Sequence, residues 1–144
     1  MKKGIVINFF AKCSVLIFMF VALAGIRSQA QEAPQVGTAS YYANKFNGRK
    51  TANGEIFNNN DFTAAHNKLP LGTYVKVTNL RNHKWVIVRI TDRLHYANKR
   101  VVDLTQAAAK RLGFYYRGLT KVKVEVVNRE YASSIITAQE LSYN

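Results

Sequence analysis

The sequence predicts a mainly β domain, a small closed barrel with one clear helix. Three features carry the prediction: segments that alternate apolar and polar residues, one almost unbroken apolar run of strand length, and a single stretch with helical spacing. Val36 to Tyr42 is rich in strand formers. Tyr74-Val75-Lys76-Val77-Thr78 alternates, as a half-buried strand should. Asn79 to His83 is a polar break, and Trp85 to Ile90 fits a strand buried on both faces. Leu104, Ala108 and Leu112 fall on one helical face, with Thr105 or Asp103 available as a cap and Gly113 as a stop. Lys121 to Val126 alternates again and forms a last strand. Closing such strands into a barrel removes exposed edges. A long polar stretch, Asn44 to Asn60, interrupts them with Gly48, Gly54 and many asparagines. A loop of that length within a compact domain is more often functional than idle.

Residues 1–30 have the pattern of an export signal. Lys2, Lys3 and Lys12 precede an uncharged apolar run from Cys13 to Ile26, and Ser28-Gln29-Ala30 supplies small residues for cleavage. The run falls short of the roughly 20 apolar residues that span a bilayer. Expected boundaries are therefore a signal peptide over 1–30, a linker over 31–36, one domain over 37–128 and a C-terminal extension over 129–144. Cys13 is preceded by Ala11-Lys12 rather than a lipobox, so no lipid anchor is expected. With that segment removed no cysteine remains, which excludes disulfides and thiolate metal sites. The 21 basic residues fall to 17 against eight acids, a net charge of about +9. For an exported monomer of the periplasm or cell envelope, such charge points to an anionic matrix rather than to nucleic acid. Simple solubility explains it equally well.

Few acids are placed to do chemistry. Glu32, Glu130 and Glu140 lie near the ends, Glu125 points outward from an alternating strand, and Asp61 sits in a polar turn. Glu55 in the long loop, Asp92 at the end of the buried strand and Asp103 before the helix remain. A carboxyl at the mouth of an apolar strand is partly desolvated, which favours the protonated form an acid catalyst needs. Equally, Asp92 could cap a turn or pair with Arg93, and Asp103 could bond free helix amides. His66 lies among small residues, which suits a buried, oriented ring, whereas His83 belongs to a polar turn. His95 follows Asp92 by three residues, but no metal-binding spacing such as H-E-x-x-H occurs, and neither a metal nor another cofactor is expected. No glycine-rich phosphate loop or G-x-S-x-G elbow is present.

Three blocks of sequence go further. They are Gly37-Thr-Ala-Ser-Tyr-Tyr-Ala with Phe46-Asn-Gly-Arg-Lys-Thr-Ala-Asn-Gly-Glu55; Phe62-Thr-Ala-Ala-His66 through Asn79; and Val86-Ile-Val-Arg-Ile-Thr-Asp92-Arg with Arg100-Val-Val-Asp103-Leu-Thr. Together, over Gly37 to Val127, they resemble the rare lipoprotein A (RlpA-like) family of septal-ring lytic transglycosylases. The resemblance implies a six-stranded double-psi β-barrel with one or two short helices, shared with expansins. It implies cleavage of the β-1,4 bond between N-acetylmuramic acid and N-acetylglucosamine, with a 1,6-anhydro product and no cofactor. The implied catalytic residues are Asp92, Glu55 and His66, with His66 holding a carboxyl by a hydrogen bond. Tyr42, Arg49, Asn53, Arg93 and Asp103 are the substrate-binding candidates, Tyr42 by stacking on sugars. The chain departs from the family where Leu94-His95-Tyr96 replaces Gly-Pro-Phe and Tyr41-Tyr42-Ala43 replaces Trp-Tyr-Gly. The first departure leaves a competing expectation, a non-catalytic expansin-like glycan binder, and an exported scaffold protein is a third.

Overall fold

The computed structural model describes residues 32–141, so the signal-peptide expectation lies outside them. Six strands form the barrel: β1 (Gln35–Tyr41), β2 (Thr63–Ala65), β3 (Tyr74–Asn79), β4 (Trp85–Asp92), β5 (Val102–Leu104) and β6 (Thr120–Val127). They close in the order β1-β5-β2-β4-β3-β6. β1 runs parallel to β5, and β2 parallel to β4, while the other four pairings are antiparallel. Every strand thus has two partners, and no edge is left open.

The core fills the interior with the inward-facing members of each alternating strand: Val75 and Val77, Val86, Val88 and Ile90, Val102 and Leu104, Val122 and Val124. β4 is buried over three consecutive residues because both its faces are covered. Val86 and Val88 point into the barrel. Ile87 points to the outer face, on the side where the C-terminal helix α2 (Arg129–Leu141) lies against β3 and β4 with Ala132 buried. The expected extension beyond residue 128 is therefore mostly helix.

The other helix, α1 (Gln106–Arg111), is shorter than the apolar spacing suggests, and Thr105 takes the expected N-cap position without a side-chain bond to the helix amides. Thr105 donates its hydroxyl to the Asp61 carbonyl instead, and Asp103 belongs to β5. The cap comes from the long loop. Buried Asn59 accepts the Gln106 amide on its side chain (3.0 Å) and the Ala107 amide on its carbonyl (3.0 Å). The same Asn59 side chain donates to the carbonyls of Tyr42 and Ala43, which ties the exit of β1 to the start of α1. Gly113 ends the helix at φ +75°, a left-handed conformation that costs glycine little.

Candidate functional site

The polar loop between β1 and β2 folds back onto the end of β4. The turn Thr51–Glu55 is closed by the Thr51 amide on the Glu55 carbonyl (2.8 Å) and by the Asn53 side-chain oxygen, which accepts from the Thr51 hydroxyl and the Glu55 amide. Two bonds dock this turn on β4: the Asn53 amide donates to the Thr91 carbonyl (3.1 Å), and the Ala52 amide donates to Oδ1 of Asp92 (2.9 Å). Asn53 thus shapes the loop.

Asp92 is half-buried and held on both oxygens. Oδ1 accepts the backbone amides of Ala52 and Arg93, each at 2.9 Å, and Oδ2 accepts the Tyr42 hydroxyl at 2.8 Å. The pairing with Arg93 is therefore through its amide. A carboxyl group offers about four lone-pair positions, so one, on Oδ2, remains for a ligand. Tyr42 departs from the sugar-stacking expectation: its ring packs against Phe57 (centroids 4.6 Å apart) and edge-on to Phe46 (5.4 Å). Burial, then the bond to Asp92, pushes the Tyr42 phenol far above its usual range, so it remains a donor at any working pH.

Across the strands, Asp92 is paired in register with Ala65, Ala65 with Asp103, and Asp103 with Ser40. A register shift between Ala64 and Ala65 falls beside Asp92, a common place for a bulge near functional side chains. Asp103 is pinned: Arg100 grips it with two nitrogens (2.6 and 2.8 Å), and the Ser40 hydroxyl donates at 2.7 Å. The ion pair raises the pKa of Arg100.

Glu55 is exposed and makes a two-pronged ion pair with Arg89 of β4 (2.7 and 2.8 Å). The Arg89 hydrogen bond holds the Glu55 carboxyl below the usual range and raises the guanidinium in turn. His66, by contrast, is buried, and its ring touches neither carboxyl. Nδ1 accepts the amides of Lys68 and Leu69, each at 3.1 Å, which leaves Nε2 to donate to the Gln35 side-chain oxygen at 3.2 Å. Burial first, then the charges of Arg93 and Lys68, lower its pKa and keep it neutral. The link from His66 to Asp92 runs through the backbone, from its amide to the Asp92 carbonyl (3.1 Å). Arg93 Nη1 clamps the same turn by donating to the His66 and Leu69 carbonyls. Arg49 is exposed, its guanidinium over the Phe46 ring.

So the fold ties Asp92, the Glu55 turn and the His66 backbone together, with Asp103 two strands away. Arg89, Gln35, Ser40 and Arg100 complete these contacts, although the sequence reading gave them no role. Arg89 had one signal, a charge inside an otherwise apolar strand. Among the described residues, no group of three His, Asp, Glu or Cys residues is placed to hold a metal.

The closed six-stranded barrel, with its two parallel and four antiparallel pairings, is of the double-psi class, as the family match bears out. The chain belongs to the lytic transglycolase family, whose model matches residues 34–124. It is 48% identical over 101 residues to the endolytic peptidoglycan transglycosylase RlpA of Haemophilus influenzae, covering 70% of this chain and 35% of the relative. It is 54% identical over 91 residues to RlpA of Pasteurella multocida (63% and 31%), and 50% identical over 101 residues to that of Pseudomonas aeruginosa (70% and 30%). The chain thus spans about a third of the length of these curated relatives. Among solved structures, a papain inhibitor of Streptomyces matches with TM-score 0.56 at 20% identity, covering 69% of this chain and 98% of that one. The expansin of Clavibacter michiganensis matches with TM-score 0.55 at 19% identity (67% and 52%). At such identities these structures show the shared fold.

Proposed function

We propose that this chain cleaves peptidoglycan glycan strands from within, outside the cytoplasmic membrane, as a lytic transglycosylase. The single observation that carries the reading is the Asp92 carboxyl, fixed by Tyr42 and two amides beside the docked loop, with one oxygen position open. The RlpA relatives, named for this activity, support it across the barrel.

In the proposed reaction, the protonated Asp92 carboxyl donates its proton to the glycosidic oxygen. The bond from C1 of N-acetylmuramic acid to that oxygen breaks, and an oxocarbenium-like state forms. Asp92, now a carboxylate, takes the proton of the C6 hydroxyl as O6 bonds to C1. The 1,6-anhydro ring closes, no water is consumed, and the acid is regenerated. One group serves as acid and then base, unlike hydrolases that need a second carboxylate to activate water. Glu55, anchored by Arg89, orients the sugar or faces its developing positive charge. His66 acts from behind: its ring holds the turn from His66 to Leu69, whose first amide binds the Asp92 carbonyl.

Digestion of purified sacculi followed by mass spectrometry tests the reading. Anhydro-muramoyl ends are expected. Reducing ends would mean hydrolysis, and binding without products would mean an expansin-like binder, and either replaces this proposal.

A further inference from the structure

A groove of about 690 Å³ opens beside the Asp92 region, between residues 93–101 and the turn that follows His66. That is the size of a small-ligand site. We propose that it is a carboxylate subsite, taking the acidic substituents of the glycan that the neighbouring site cleaves. The inference rests on the glycan reading and adds to it a recognition of charge.

The lining is of one sign. Lys68, Arg93, Lys99 and Arg100 contribute to it, and no aspartate or glutamate does. Asp103 neutralises Arg100 from outside the groove. Arg93 spends one nitrogen on two carbonyls and has no carboxylate partner among the described residues. Lys68 and Lys99 are exposed and, among the described residues, have no ion pair, whereas Arg89 and Lys123 each have one. Three uncompensated cations therefore face one concavity, where low-dielectric walls focus their field. Burial, then the charges of Arg93 and Lys68, lower the pKa of His66, which also lines the groove. Between the cations stand neutral partners suited to a sugar: the amides of Gln35, Asn67 and Asn98, and the Tyr96 ring, 89% exposed. Tyr96 belongs to the segment in which the chain departs from its family. Peptidoglycan offers a carboxylate on the lactyl ether of muramic acid where no peptide is attached, and on the peptide where the lactyl carboxyl is its amide link, and both sources offer the same chemistry.

The test uses the full chain carrying Asp92→Asn, so that probes are not consumed, with fluorescence-labelled glycan strands. Peptide-free and peptide-bearing strands are each compared with their methyl-esterified forms. Esterification is expected to weaken binding about five- to tenfold at low salt in at least one pair, and the pair that responds identifies the source of the carboxylate. Lys68→Gln with Lys99→Gln should erase that difference. Lys99→Glu alone should weaken the free-acid strands while sparing the esters. Equal binding of acid and ester in both pairs, or a double variant that keeps the preference, would overturn the subsite, as would no binding to any strand. The cleavage proposal stands or falls separately, on anhydro products from the unmutated chain.

Discussion

The hydrogen bond from Tyr42 to Asp92 gives the acid a fixed direction, and the two backbone amides fix its other oxygen. If Asp92 is the acid–base, Asp92→Asn should lower anhydro-product formation by at least roughly 100-fold, with an unchanged circular dichroism spectrum. A mutant with full activity would remove Asp92 from the mechanism. Tyr42→Phe keeps the ring packed against Phe46 and Phe57 but deletes one donor. Hydrogen bonds to charged groups are worth about 1.5–3 kcal/mol, so kcat should fall roughly 10- to 100-fold with little change in KM. An equal rise in KM would instead mark Tyr42 as a sugar contact. His66 makes a different prediction, one about stability. Its pKa is 6.5 when unperturbed and lower in the fold, so on acidification the unfolded chain takes up the proton first. Its contribution is fully present above pH 6.5 and is lost as pH falls from there through the folded value. Urea midpoints measured between pH 7.5 and 5 should fall for the native chain and stay flatter for His66→Gln. Parallel curves would mean that the ring is not held neutral.

Among the elements, the long strands were legible and the short ones were not. β3, β4 and β6 are six or eight residues long, enough for alternation or a continuous apolar run to register. β2 and β5 are three residues each, too short for any period, and they exist because their neighbours supply both ladders. Yet these two bring Ala65 and Asp103 into line with Asp92, so the site depends on the least legible elements. The resemblance located Asp92, Glu55 and His66, but their side-chain partners Tyr42, Arg89 and Gln35, 50, 34 and 31 residues away, carry no local signal. Gln35 binding the His66 ring and Asn59 capping α1 are of this kind. Gly37, in β1, is a close approach rather than a turn: an added Cβ would meet that of Val101 at 2.9 Å. A β-branched neighbour cannot swing aside, so Gly37→Ala should destabilise the domain by about 1–3 kcal/mol. The denaturant midpoint reports this, and a neutral result would show that the 93–101 segment yields easily.

For the molecule as a whole, charge and connectivity matter more than any single contact. With 17 cations against eight acids beyond residue 30, attachment to sacculi should weaken about tenfold between 50 and 500 mM salt, since surface charge is screened within a few ångströms at the higher value. Pelleting assays would show it, and salt-independent attachment would assign binding to uncharged contacts. Connectivity has its own consequence. β6, the last strand in sequence, pairs with both β1 and β3. Without Thr120–Val127, β1 and β3 would each lack one of their two partners and the barrel could not close. It resembles a ring whose clasp is made last: the sheet can close only once that final segment is available.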